Sequence, residues 1–168
     1  MTDTDPRFED AFRRLSASGF RSRFRLSQKD RLTAELRGAA VIEAHARAVV
    51  AERLAPGVIP NDGRQTPYRG HPVFTAQHAT ACCCRQCFAK WWRVPAGRPL
   101  SEKETEWAVG LITRWIAREL EKPAAQVRSR PPKRGESGSL FEVLVRPGVA
   151  HGRPKTPFRQ RTTVFCRQ

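Results

Sequence analysis

The stretch HPVFTAQHATACCCRQCFAKWW, residues 71–92, holds four of the five cysteines, two of the four histidines and two of the four tryptophans in 168 residues. Thiolates and imidazoles together are ligands for soft metal ions. Zinc takes about four N or S ligands in a tetrahedron, and an iron–sulfur cluster takes about four, mostly thiolate. A second chemistry is nucleophilic: Cys82 has His78 one helical turn away and Arg85 nearby, a pairing that can activate a thiol. The third reading is packing, because cysteine is among the most buried residues and behaves as a small hydrophobe. No carboxylate occurs between Asp62 and Glu102. That argues against paired-carboxylate catalysis or a carboxylate-held magnesium ion within the stretch.

Spacing narrows the ligand set. If residues 74–93 form one helix, Cys83, Cys84 and Cys87 share an arc of about 100°, with Trp91 beside them. His71, on the loop before that helix, can fold back as a fourth ligand. His78 is the alternative, although it pairs with Cys82 on the other side of the helix. Cys84-x2-Cys87 is a common zinc-knuckle spacing, but a second such pair is missing. Upstream, Arg64, Gln65, Tyr68 and Arg69 crowd with His71 in one loop and could hold a phosphate or another acidic group, or could simply fix the loop to the core.

The formal charge of +15 is unevenly spread. Residues 1–121 carry 20 basic and 14 acidic side chains, and residues 122–168 carry 11 and 2. The basic tail, with Lys133, Arg134, Arg153, Lys155, Arg159 and Arg161, points to a polyanionic partner, nucleic acid before an acidic membrane surface. His151-Gly-Arg-Pro-Lys155 is similar to the core of a minor-groove-binding AT-hook. No apolar run is long enough to span a membrane. The acidic, polar first ten residues do not read as a secretory signal. An odd cysteine count argues against a disulfide framework. A cytoplasmic location, where thiols stay reduced, is therefore expected.

The elements that must position these residues are mainly helical. Asp5 and Pro6 start a helix over about 5–18 with Phe8, Phe12 and Leu15 on one face. Ser27, with Asp30 in the first turn, caps a second helix interrupted at Gly38, which resumes through Ile42, Ala46, Val49 and Arg53 to Pro56-Gly57. Residues 56–73 form a long Pro/Gly loop with a turn at Asn61-Asp62-Gly63. Ser101-Glu-Lys-Glu104 is a capping box for a helix over about 101–121, which ends at Pro123. Residues 122–139 read as a linker. Residues 140–168 are a basic tail whose segments 140–146 and 161–167 resemble two short strands of a β-hairpin. The expected fold is a small domain of about four to five helices over 1–121 with this extension.

The block NDGRQTPYRGHPVFTAQHATACCCRQCFAKWW, residues 61–92, resembles the bacterial and viral family known as domain of unknown function 4186. FRSRFRLSQKD (20–30), HARAVVAERLAP (45–56) and GRPLSEKETEWAVGLITRWIARELE (97–121) fit the same pattern, so the likeness covers about residues 8–121. The resemblance implies a small helical domain and carries no established activity. His71, His78, Cys83, Cys84 and Cys87 match its motif. Cys82 stands where the family typically has Thr, Trp92 where it often has His, and Tyr68 where it typically has Met. The tail lies outside it. The combined expectation is a metal-binding module, zinc or iron–sulfur, associated with nucleic acid. A metal- or thiol-dependent enzyme and a structural domain with buried cysteines are the alternatives.

Overall fold

The computed structural model describes residues 5–123. The tail residues named above, its two expected strands and the AT-hook-like segment lie outside the described residues. Within them the chain is α-helical: α1 (Pro6–Ser16), a 3-10 turn (Arg21–Arg23), α2 (Gln28–Arg53), α3 (Pro72–Ala79), α4 (Arg85–Trp92) and α5 (Glu102–Glu121). No helix among the described residues is long and apolar enough to cross a membrane.

Most helix ends follow local chemistry. The Asp5 carboxylate accepts the Arg7 N–H and Pro6 occupies the first turn of α1, where a missing N–H leaves no bond unmade. Ser27 caps α2 by accepting from the Asp30 N–H. Gly38 sits at φ 76°, ψ 164° and kinks α2, a conformation open to glycine almost alone. Ser101 and Glu104 form a reciprocal capping box at α5.

The core lies where α5 packs on α2 and α3. Leu111 and Ile112 of α5 are fully buried, as are Val50, Leu54, Val73 and Phe88. Each such side chain contributes about 1.5–3 kcal/mol through burial. α1 lays Phe8, Phe12 and Leu15 into the same cluster. The C-terminal end of α5 is closed from a distance. Arg31, in α2, donates to the carbonyls of Glu119, Leu120 (2.8 Å) and Lys122 (2.9 Å). A cation there complements the helix dipole.

The single helix expected over 74–93 is not formed. α3 stops at Ala79 and α4 starts at Arg85. Ala81 lies between them at φ 61°, in the left-handed region. The Cys82 N–H bonds back to Gln77 O at 2.8 Å, a helix-ending geometry that usually calls for glycine at the left-handed position. Here side chains hold the break. Gln77 Nε2 donates to Cys82 O (3.1 Å) and Trp92 Nε1 to Thr80 O (3.0 Å).

Candidate metal centre

This break is what gathers the thiols. Cys84 is the N-cap of α4, with extended backbone, and its Sγ accepts the Cys87 N–H at 3.3 Å. The first turn of α4 is capped again by Asp62 of the preceding loop, which accepts from the N–H of Arg85 (2.9 Å) and Gln86 (3.3 Å). A carboxylate suits a helix N-terminus. Cys83 and Cys84 are buried, Cys87 partly so, and the three Sγ atoms lie within 4.8 Å of one another. Cys82 points elsewhere: it is fully buried in the apolar core and bonds Thr80 O. Its thiol is pushed up to about 12 by burial. The arc reading thus names the three thiols that lie together, but on a helix that does not exist; a turn brings them together.

Three sulfurs this close suit one ion. At a Zn–S length of about 2.3 Å, tetrahedral geometry separates sulfurs by about 3.8 Å, so a small contraction would close the group. Cys87, hydrogen-bonded by Cys83 and Cys84 and facing Arg21, is held far below the ordinary thiol range. Cys84 gains from its bond with Cys83, but its bond to Cys87 and burial outweigh this and hold it up at about 12.

Arg21 is the residue that the sequence reading missed. It comes from the 3-10 turn and is 5% exposed. One Nη donates to Cys87 Sγ at 3.2 Å; the other reaches Cys83 Sγ at 3.9 Å and the carbonyl of His78. Burial works to lower its pKa, yet the charges of Cys83 and Cys87 prevail and raise it. Among the described residues Arg21 forms no ion pair with a carboxylate. A buried cation calls for compensating partners, and beside this one lie the sulfurs of Cys83 and Cys87, the His78 carbonyl and the rings of Phe20 and Trp91. In the sequence Arg21 is one arginine among several in FRSRFR, with nothing in its spacing to single it out.

His78 borders this group, outside the set of three sulfurs that lie within 4.8 Å of one another. Its Nε2 faces the Thr66 carbonyl at 3.2 Å, which makes Nε2 the protonated nitrogen and leaves Nδ1 with a lone pair. Nδ1 is buried and has no hydrogen-bond partner. Tyr68 stacks on the ring at 4.0 Å, with Phe24 parallel at 5.7 Å. Burial, ahead of the nearby Arg21 charge, depresses the His78 pKa and keeps the ring neutral.

His71 does not join the thiols. It caps α3, its Nδ1 accepting the Val73 N–H (3.2 Å), and its Nε2 meets His45 Nδ1 at 3.1 Å. The reason is local: an N-cap side chain turns back onto its own helix.

The loop candidates divide. Gln65 is occupied structurally, bonding Gly63 N, Arg53 O and Asp62. Tyr68 covers His78. Arg64 and Arg69 are exposed.

A family model described as Domain of unknown function (DUF4186) matches residues 9–117. No solved structure matches the chain.

Proposed function

The chain belongs to the DUF4186 family, and from that premise we propose that its helical domain is a metal-binding module holding one zinc ion on Cys83, Cys84 and Cys87. The observation that carries this is Arg21. A guanidinium buried against two sulfurs is explained if those sulfurs are anionic in the working protein. One Zn²⁺ with three thiolates carries a charge of −1, which Arg21 neutralises. An iron–sulfur cluster is a poorer fit, because it spreads its thiolates over several irons. His78 supports a fourth position. Metal-bound histidines commonly donate their other N–H to a carbonyl, and His78 does so to Thr66 while its Nδ1 lone pair has no partner. Bound zinc would supply electrostatic cross-linking of the turn between α3 and α4.

Elemental analysis and an absorption spectrum of the purified, reduced chain test this reading. The expected result is about one zinc per chain, lost in Cys87→Ser and kept in Cys82→Ser. Wild-type metal content in Cys87→Ser overturns it.

A second reading rests on a different observation. Residues 122–168 carry a net +9, which favours association with nucleic acid through this tail by release of counterions. The division into a helical domain and a separate basic tail belongs to the same proposal.

A further inference from the structure

We propose that a cleft between α1, α4 and the start of α5 binds the unpaired bases of a single-stranded nucleic acid, using neither the three thiols nor the basic tail for contact. The cleft, about 610 Å³, is lined by Trp91, Trp92 and Trp107 together with Arg7, Arg14 and Arg93. It therefore holds three of the four tryptophans of the chain, each only partly buried.

The indoles do not cover one another. Trp91 and Trp92 have centroids 6.4 Å apart at 54°, and Trp92 and Trp107 are 5.7 Å apart at 82°. Behind Trp107, Phe8 stacks at 4.5 Å and 25° and holds the ring in place. The arginines surround this surface. Arg14 lies 5.6 Å over the Trp92 ring and uses one N–H on the Trp91 carbonyl, leaving donors to spare, since a guanidinium has about five. Arg93 is exposed and has no ion-pair partner among the described residues. Arg7 is paired with Asp5.

Charge decides the ligand class. Aromatic clefts also take quaternary ammonium groups, but that cargo needs an anionic or neutral lining. Here Arg14 and Arg93, beside an Arg7 already paired with Asp5, face one lining carboxylate, Asp10, which itself lies 3.5 Å from Arg13. An anion bearing flat rings matches both halves of the surface. Stacking a base on an aromatic side chain and placing its phosphate near arginine is how single strands are held without sequence choice. The volume falls in the range of sites for drug-sized ligands, which is the size of a nucleotide or two.

The assay is tryptophan fluorescence of the full-length, zinc-replete chain, titrated with oligothymidylate, with an abasic oligomer of equal length and charge, and with duplex of the same length. Oligothymidylate should quench and saturate. The abasic oligomer should bind about tenfold more weakly, having lost its stacking, and should leave the emission nearly unchanged. Arg93 caps α4 in the left-handed conformation (φ 57°), which glycine accepts readily. Arg93→Gly should therefore fold and keep its metal. It should also weaken oligothymidylate binding and lower the salt slope by about 0.7, the value for one phosphate on a single strand. Equal affinity for the abasic oligomer would assign all binding to backbone charge and overturn the proposal. So would an Arg93→Gly variant with unchanged affinity, or quenching by a trimethyllysine or proline-rich peptide with none by oligothymidylate.

Discussion

Arg21→Met tests whether the thiol group is anionic, the point on which the metal reading turns. Methionine keeps an unbranched apolar stem but removes the cation. Two separable losses are expected. The bond from Arg21 to the His78 carbonyl is charge-assisted, worth about 1.5–3 kcal/mol. If the sulfurs are anionic, the contacts to Cys87 at 3.2 Å and Cys83 at 3.9 Å are a buried charge pair, and removing one partner brings the total toward about 3–5 kcal/mol. For a domain of this size that corresponds to a fall in Tm of about 10–20 °C. Stability alone would not separate the two losses, so the informative quantity is a double-mutant cycle with Cys87→Ser, followed by reversible urea unfolding under reducing conditions. Cys87→Ser removes the nearer of the two sulfurs and leaves the His78 contact intact. If sulfur is the counter-charge, the double variant should be less damaged than the two single variants added together, by about 1.5–3 kcal/mol. Additivity within about 0.5 kcal/mol would refute the reasoning: Arg21 would then act only as a cap on the α3 carbonyl, and nothing would require anionic thiols.

Gly110→Ala should destabilise the domain although it lies within a helix. Alanine gains about 1 kcal/mol of helix propensity there, but its Cβ would stand 2.6 Å from Phe8 Cζ, and Phe8 is held between Trp107 and Arg114; a raised Tm would show that α1 yields freely. For His71, burial and then the His45 charge hold the imidazole below its usual pKa, so the folded state resists its protonation. Stability is complete above the unfolded imidazole value of about 6.5 and falls as pH drops below it. His71→Asn preserves the cap on Val73 and should shrink the loss of Tm between about pH 8 and about pH 5, whereas an unchanged loss would acquit His71. A chain truncated after Lys122 should stay folded and keep its metal. The full-length chain should bind duplex DNA with a salt slope of about 4–7 that truncation largely removes, and full-length protein silent toward duplex at low salt would end the tail reading.

Several features were legible because they are encoded within a few residues. Asp5-Pro6, Ser27 and the Ser101/Glu104 box start helices by side chains that reach their own first turns. Gly38 kinks α2 because only glycine tolerates its backbone angles. The motif of residues 61–92 carries the family, and the match over 9–117 bears that resemblance out. Helical periodicity supplied the apolar faces of α1 and α5, since burial of one face is a property of spacing alone.

The thiol site was legible in membership but not in construction. Thr80-Ala-Cys-Cys-Cys84 contains no residue that must end a helix, so local preference continues through it. The chain breaks there because the groups that stabilise the break lie far away in sequence. Arg21 takes the His78 carbonyl, Trp92 takes Thr80 O, and Asp62 caps the amides of Arg85 and Gln86. Those partners are separated from their targets by up to 57 residues, a distance at which spacing carries no information. Residue type by itself determined that Cys83, Cys84 and Cys87 were worth watching. Only tertiary structure decided that they face a buried arginine, that His71 turns to His45, and that Cys82 is buried in the apolar core away from them, because charge compensation and burial depend on what the fold brings alongside.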